Sequence, residues 1–476
     1  MRSKTLILIF ALWGILQSIS VKASVFELKV KIKNAPDTAL LLAHYYGEKQ
    51  YVDDTAFRTK DGWYIFSADS LIPGGMYIVA GQNKSRYFEL LIDKEQKITV
   101  EAALPDIPLT MKIKGSIDNE RLYSYIQYLA GKQKEVNDLR KTKERLDPKS
   151  DSSAIIDKRL GAIDIEVKDY ISNFIEKNKT NFAGSFIAAQ QEPAIPPTPY
   201  KPDGSVDSTK LYLLYKNSFF ANLDLGDSRL LRTPAYHARL NRYFSQLVVQ
   251  SPDSVMKEVN NLLPIVKRSR DTYRYFVWYI TTYSEKSTIM GMDAVFVEMA
   301  DRFYTTGEMD YWINKTVKAN VLKRANTLRP ILIGNPAPEL MMLDTAMRPV
   351  SLHSVKARYT LLLFWDPECG HCKTEIPLVI DFIKKDKNRF NLEVFAVCTD
   401  TNMRKMKDYI KEKKMPFINV NGPRAYTPFF KDLYDVFSTP VLYLLDENKK
   451  IIAKRLTVDV LESFLERYEA KLRKEK

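Results

Sequence analysis

Cys369 and Cys372 are the residues of this chain whose type and spacing point most directly to chemistry. An apolar run over residues 360–365 precedes them with the length and flanks of a buried strand, and a helical pattern follows them. A thiol in the first turn of a helix meets unpaired backbone N–H groups and the positive end of the helix dipole, which favour thiolate over thiol. A strand, a turn, two thiols and a helix in this order predict a redox-active dithiol.

Two other interpretations of the cysteine pair are half of a zinc site and two inert core cysteines. Zinc needs about four ligands, and the rest of the chain offers only Cys398 and the scattered histidines His44, His237 and His353. Cys398 follows an apolar strand-like run, so we expect it to be a small buried hydrophobic residue. We therefore favour the redox pair and predict no metal site.

Position in the motif predicts different roles for the two thiols. Cys369, nearer the solvent, should be the attacking thiolate, and Cys372, one turn inside, should resolve the mixed disulfide. His371 between them should stabilise the thiolate and make the disulfide a better oxidant. Asp366 and Glu368 flank the same turn, and their negative charge should raise the pKa of the thiol. Because the two effects oppose each other, the motif alone leaves the direction of electron flow open.

The first residues predict export. Arg2 and Lys4 precede an apolar run over residues 6–16. Residues 21–23 offer small or short side chains, which suit a signal peptidase site. We predict a cleavable signal peptide at residues 1–23 and a location in the periplasm or cell envelope. The alternative, an uncleaved membrane anchor, is less favoured because the apolar run is shorter than the ~20 residues that span a bilayer.

Composition and cysteine usage narrow the class of protein. The chain has 476 residues, 45% of them hydrophobic, which suits about three globular domains. Three cysteines do not make a disulfide framework in an exported chain, so the dithiol serves chemistry. The formal net charge is +14, but the lysines are dispersed and no nucleic-acid motif accompanies them. We therefore expect no nucleic-acid partner.

Hydrophobic periodicity divides the remaining chain into three predicted domains. Residues 24–115 alternate with a period of two between turn signals, which predicts an antiparallel β-sandwich that serves packing, dimerisation or partner recognition. Residues 116–330 have helical periodicity, with a helical hairpin turning near Asp147-Pro148 and an irregular proline-rich segment at 192–204. Residues 331–476 alternate between strands and helices, which predicts an α/β sheet with parallel pairing.

Several motifs of the last domain occur together and in order. They are Gly334–Pro338, Phe364-Trp365, the Cys369/Cys372 pair, Lys373–Pro377, and Ser438-Thr439-Pro440. In this combination, residues 333 to 476 resemble the extracytoplasmic thioredoxin-like oxidoreductases of the TlpA/ResA type. The resemblance implies a thioredoxin-like fold and thiol–disulfide exchange through a redox-active Cys369–Cys372 disulfide, without a metal or organic cofactor. The upstream regions are similar to the β-sandwich and helical extensions of unknown function that precede this domain in Bacteroidetes-type proteins.

The resemblance also implies further site residues. Glu375 would accept or donate the proton of the buried thiol. Thioredoxin-like domains often carry an acidic group in the strand before the motif, but that position is Leu363 here, which leaves Glu375 as the candidate. The alternative is a glutamate that only interacts favourably with the helix dipole. Thr439-Pro440 resembles the cis-proline loop whose backbone pairs with an extended substrate segment, and a trans proline at a strand start is the alternative. Glu368 departs from the family pattern, which usually has tryptophan there.

The combined prediction is an exported thiol-disulfide oxidoreductase that acts on protein dithiols or disulfides. Its partners would be exported thiol or disulfide proteins and a membrane-bound protein that recycles the dithiol. The alternative is an envelope binding or scaffold protein with a weak or vestigial thioredoxin-like domain.

Overall fold

The computed structural model of the protein describes residues 24–475, which divide into two compact units at Leu240/Asn241. The predicted signal peptide, residues 1–23, lies outside the described residues. The division falls inside the predicted helical domain, so helices belong to both units, and the three predicted domain boundaries stay predictions. Among the described residues, no helix is long and apolar enough to cross a bilayer.

Within residues 24–240, two four-stranded sheets form, ordered β4-β1-β7-β8 and β3-β2-β5-β6. The strands are β1 (Phe26–Lys33), β2 (Ala39–Tyr46), β3 (Lys49–Phe57), β4 (Tyr64–Ala68), β5 (Gly75–Gly81), β6 (Arg86–Ile92), β7 (Lys97–Ala103) and β8 (Lys112–Lys114). In β1 every second side chain is buried, as period-two alternation predicts. The predicted N-terminal β-sheet domain is confirmed. One pair departs from the antiparallel pattern, because β1 and β7 run parallel.

The helices that follow in this unit include the predicted hairpin. They are α1 (Ile107–Thr110), α2 (Ile117–Lys143), α3 (Asp151–Lys177), α4 (Phe182–Gln190), α5 (Ser208–Ser218), α6 (Ser228–Leu231) and α7 (Pro234–Arg242), the last of which crosses the division. The side chains of Ser116 and Ser150 cap the start of α2 and α3. The turn between these two helices contains Asp147-Pro148, as predicted.

Residues 241–475 form the second unit, in which helices precede an α/β sheet. Its helices are α8 (Pro252–Val266), α9 (Arg270–Lys286), α10 (Asp293–Met299), α11 (Lys315–Leu328), α12 (Gly370–Phe390), α13 (Met403–Lys413), α14 (Phe430–Leu433) and α15 (Val458–Glu475), with π-helical turns at Tyr243–Leu247 and Ala300–Thr305 and a 3₁₀ turn at Arg329–Ile331. Its strands are β9 (Met341–Asp344), β10 (Pro349–Ser351), β11 (Tyr359–Trp365), β12 (Leu392–Cys398), β13 (Ile418–Ala425), β14 (Val441–Leu445) and β15 (Ile451–Lys454).

The sheet of this unit runs β10-β9-β13-β12-β11-β14-β15. Strand β11, in the interior of the sheet, is buried along its whole length and pairs parallel with β12 and antiparallel with β14. The predicted helical middle region and C-terminal α/β domain are therefore confirmed. Strand β13 was not predicted from the sequence, because Gly422-Pro423 breaks its apolar pattern and the ladder is irregular between Asn421 and Ala425.

A buried ion cluster joins α11 to the segment that leads into Thr439. The guanidinium of Arg324 binds both oxygens of Asp435, with Nη2 3.0 Å from Oδ2, and Arg455 also donates to Oδ2. The Asp435 side chain is only 2% exposed. Burial alone would raise the pKa of Asp435, but hydrogen bonds and charge from the two arginines outweigh it and hold the pKa below its usual range.

We expect Arg324→Met to lower the free energy of unfolding of this unit by about 3 kcal/mol, because it leaves a buried carboxylate with one cationic partner instead of two. Chemical denaturation at pH 7 measures the change. Arg348→Met, at an exposed arginine on the β9–β10 turn, is the matched control and should change little. Because the pKa of Asp435 is lower in the folded state, the difference from wild type should shrink as the pH falls through that pKa. An equal loss in both variants would contradict this account.

Candidate active site

The dithiol lies where β11 ends and α12 begins. The backbone N–H of Glu368 donates to Asp366 Oδ1 at 2.9 Å, and the N–H of Cys369 donates to the Asp366 carbonyl at 3.2 Å. This turn places Cys369, which is half-buried, just before Gly370, and Cys372, which is fully buried, in the first turn of the helix. The three cysteines of the chain are free thiols.

The sulfur of Cys369 has polar neighbours on two sides. It donates to the carbonyl of Thr439 at 3.0 Å and accepts from the backbone N–H of Cys372 at 3.4 Å. Burial raises the pKa of Cys369, but hydrogen bonds from the side chain of Thr439 and from the N–H groups of Cys372 and His371 together outweigh it, so the pKa lies below the ordinary value. This thiol is therefore the more readily ionised of the pair.

Cys372 has the opposite environment. It packs in the apolar core against β11 and Ile376, and burial raises its pKa to about 12. Cys398, on the neighbouring strand, is fully buried in the same core, as predicted, and burial raises its pKa to about 12 as well. The asymmetry between Cys369 and Cys372 agrees with the attacking and resolving roles inferred from the sequence, which stay predictions.

The carboxylates beside the motif are engaged by other groups. Glu368 is exposed and forms an ion pair with Lys405 on α13. Asp366 accepts from the hydroxyl of Thr399 at 3.2 Å. From the sequence, both charges were expected to raise the pKa of the thiol, with the net direction open. In the structure, the pKa of Cys369 is lowered.

The other predicted site residues border one groove of about 590 Å³. His371 and Glu375 line it from α12, and Thr439 and Pro440 line it from the facing loop. The Thr439-Pro440 peptide bond is cis, as the family pattern predicts. Glu375 is half-buried, and its Oε2 atom has no hydrogen-bond partner among the described residues. Glu368 is absent from the residues that line this groove and pairs with α13 instead.

The groove residues that the sequence did not indicate include Asp435, Phe437 and Arg455. They come from the segment before Thr439 and from the end of β15. No motif contains them, and their proximity to His371 depends on β14 lying between β11 and β15.

The C-terminal part of the chain is similar to known thiol-disulfide oxidoreductases. The sequence model of the AhpC/TSA family matches residues 333–454, and that of a domain of unknown function, DUF4369, matches residues 26–122. The thiol-disulfide oxidoreductase ResA of Bacillus cereus is 26% identical over 140 residues, which cover 28% of this chain and 78% of the relative. ResA of Bacillus subtilis is 26% identical over 136 residues, 28% and 73% of the two chains. The chain belongs to the TlpA/ResA-like thiol-disulfide oxidoreductases.

Solved structures similar to this oxidoreductase carry related names. A domain described as a "possible thiol-disulfide isomerase" from Cytophaga hutchinsonii is 40% identical, covers 30% of this chain and 98% of its own, and has a TM-score of 0.29. A thiol:disulfide interchange protein from Bacteroides sp. is 28% identical, covers 29% of this chain and 90% of its own, and has a TM-score of 0.26.

The two thiols of the oxidoreductase should differ strongly in reactivity. In the reduced protein, the rate of Cys369 alkylation by iodoacetamide should rise with pH around a midpoint below 9.0, because its pKa is lowered from that value. In Cys369→Ala, alkylation at pH 8 should be at least about a hundredfold slower, because a pKa of about 12 leaves Cys372 protonated. Mass spectrometry assigns the alkylated residue. Equal rates for both thiols would contradict the asymmetry.

The ion pair between Lys405 and Glu368 should tune the pKa of Cys369. Lys405→Met leaves the charge of Glu368 uncompensated and should raise that pKa slightly, whereas Glu368→Gln removes the charge and should lower it slightly. Both changes should be small because charges interact weakly at an exposed site. The pH profile of Cys369 alkylation measures both changes.

Lys411→Met, on the same helix but later along it, is the control and should leave the profile unchanged. A shift in the same direction for Lys405→Met and Glu368→Gln would rule out the electrostatic explanation.

Proposed function

We propose that the protein catalyses thiol–disulfide exchange on the cysteines of other proteins through Cys369-Gly370-His371-Cys372. The observation that carries this proposal is the asymmetry of the two thiols. Cys369 is accessible and readily ionised, and Cys372 lies behind it, buried and protonated at neutral pH. An attacking thiolate and a protected resolving thiol are what the reaction requires.

The reduction of a substrate disulfide proceeds in two exchange steps. The thiolate of Cys369 attacks one substrate sulfur, the substrate S–S bond breaks, and the departing sulfur takes up a proton. Cys372 then loses its proton and attacks the Cys369 sulfur, which forms the Cys369–Cys372 disulfide and releases the second substrate thiol. Two electrons pass from the dithiol to the substrate, and the reverse sequence oxidises a substrate dithiol. Because the sulfur atoms carry the electrons, the reaction requires no metal or organic cofactor.

Glu375 is proposed to accept the proton of Cys372 during the second step. It lies one turn after Cys372 on α12, and its buried Oε2 atom is free to bind a proton or a polar group of the substrate. Thr439 and Pro440 are proposed to bind the substrate backbone, since the Thr439 carbonyl already faces the sulfur of Cys369. His371 and Glu368 are proposed to tune the pKa of Cys369.

We place this activity in the periplasm or cell envelope, after export by a cleavable signal at residues 1–23. Its substrates would be exported proteins with thiols or disulfides, and a membrane-bound redox partner would recycle the dithiol. A single reactive dithiol in an otherwise cysteine-poor chain suits such an oxidising compartment.

The variant Cys372→Ala tests the proposal in growing cells. It keeps the attacking thiolate but removes the resolving thiol, so exported partners should accumulate as mixed disulfides on Cys369. Non-reducing electrophoresis and mass spectrometry identify the partners and the linked residue.

Cys369→Ala/Cys372→Ala is the control for the thiol itself, and Cys372→Ala/Cys398→Ala excludes linkage through the core cysteine. If no mixed disulfides accumulate on Cys369 of the Cys372→Ala variant, the proposed exchange with substrate proteins is contradicted. If, in addition, cells that carry Cys369→Ala/Cys372→Ala have the same phenotype as wild-type cells, the chain acts as a binding or scaffold protein instead.

A further inference from the structure

The groove beside the dithiol continues beyond the residues that the exchange reaction uses. From His371 and Glu375 it extends past Thr439 and along the start of β14 to Arg455 and Thr457. Its lining residues all belong to the same compact unit. Thr439, whose carbonyl contacts the sulfur of Cys369, lines the same groove, so a polypeptide segment that lies along the whole groove can reach both Cys369 and the far end.

Two guanidinium groups meet one carboxylate at the far end of the groove. Asp435 is the carboxylate there, and Arg324 already binds both of its oxygens. Arg455 donates to the same carboxylate through Nη2, while its side chain remains 52% exposed. Two guanidinium groups thus share one buried carboxylate.

Two further carboxylates, Glu285 and Asp293, act on Arg324 from the adjoining cavity, but they are not among the residues that line the groove. The ammonium group of Lys454, the residue before Arg455, is paired with Asp293 and donates to the carbonyl of Ile331 at 2.8 Å. Glu375 lines the groove from α12 instead. At the far end, Arg455 is therefore the cationic group that can bind a ligand while it keeps its bond to Asp435.

An exposed aromatic ring flanks the same groove. Phe437 is 81% exposed, two residues before Thr439, and its ring centre lies 5.1 Å from the guanidinium carbon of Arg324. An apolar side chain left in water at a groove wall is a suitable contact for an apolar side chain of a ligand.

The sheet register gives the spacing between the two ends. The backbone N–H of Arg455 donates to the carbonyl of Leu442, which is three residues after Thr439. Three residues of extended chain span roughly 10 Å. A substrate segment that lies beside Thr439 with its cysteine at Cys369 therefore reaches Arg455 with a residue about three positions from that cysteine.

We propose that the groove is a carboxylate-binding subsite for the substrate polypeptide, in which Arg455 binds an acidic group about three residues from the reacting cysteine and Phe437 packs against an apolar neighbour. This inference rests on the proposed exchange reaction and names its substrate class: acidic segments around the reactive cysteine. Arg455 is the residue that determines specificity. The carboxylate comes from a Glu or Asp side chain or from the end of a polypeptide chain.

Peptides with one cysteine, activated as a mixed disulfide with thionitrobenzoate, test the subsite with the reduced full-length protein. A glutamate is moved through the four positions on either side of the cysteine, with glutamine as the matched neutral residue and the C-terminus amidated. The reaction is followed over a single turnover by the release of thionitrobenzoate, and the glutamate peptide should give at least a fivefold higher second-order rate constant at its best position, mainly through tighter binding of the peptide. A further peptide that ends there in a free carboxylate separates the two sources of the charge.

Arg455→Gln should remove the preference, so that glutamate and glutamine peptides react within about twofold of each other, and Arg455→Lys should keep part of it. Asp435 keeps Arg324 in both variants, and the alkylation profile of Cys369 checks that the dithiol is intact. Arg348→Gln, at an exposed arginine outside the groove, should keep the full preference.

Two results would overturn the inference in different ways. The subsite is overturned, and the exchange reaction still stands, if all peptides react with no preference for glutamate at any position. The same holds if the preference for glutamate survives in Arg455→Gln. Exchange with none of the peptides overturns both proposals.

Discussion

The start of α12 supplies the backbone N–H groups on which the chemistry of the site depends. The first N–H groups of a helix lack partners within the helix, and here the one from Cys372 donates to the sulfur of Cys369. The same helix turns Cys372 into the core below the fully buried strand β11. One local geometry therefore lowers the pKa of the outer thiol and, through burial, raises the pKa of the inner thiol.

The carboxylates beside this turn have polar partners of their own. Lys405 pairs with Glu368, and Thr399 donates to Asp366. A carboxylate with a cationic partner disfavours a neighbouring thiolate less than a free one does. The tryptophan that the family usually has before the first cysteine is thus replaced by one half of an ion pair, which changes the surface beside the attacking thiol from aromatic to charged.

The helical segment before the α/β sheet contributes to the surroundings of the site. Arg324, on α11, holds Asp435 in the segment that leads into Thr439. The loop opposite the dithiol is therefore anchored by a residue more than a hundred positions away in sequence. This connection gives the helices of the second unit a physical role in positioning the substrate loop, which their own sequence patterns do not suggest.

The sequence alone determined the elements around Cys369 and Cys372, because hydrophobic periodicity, turn residues and the apolar run of β11 act over short stretches of chain. It did not reveal β13, where Gly422-Pro423 interrupts the pattern. Only the tertiary structure decided which distant groups face the dithiol. The proximity of Arg455 and Phe437 to His371 follows from the order of β11, β14 and β15 in the sheet. Strand order is a property of the packed core, so local sequence patterns do not contain it.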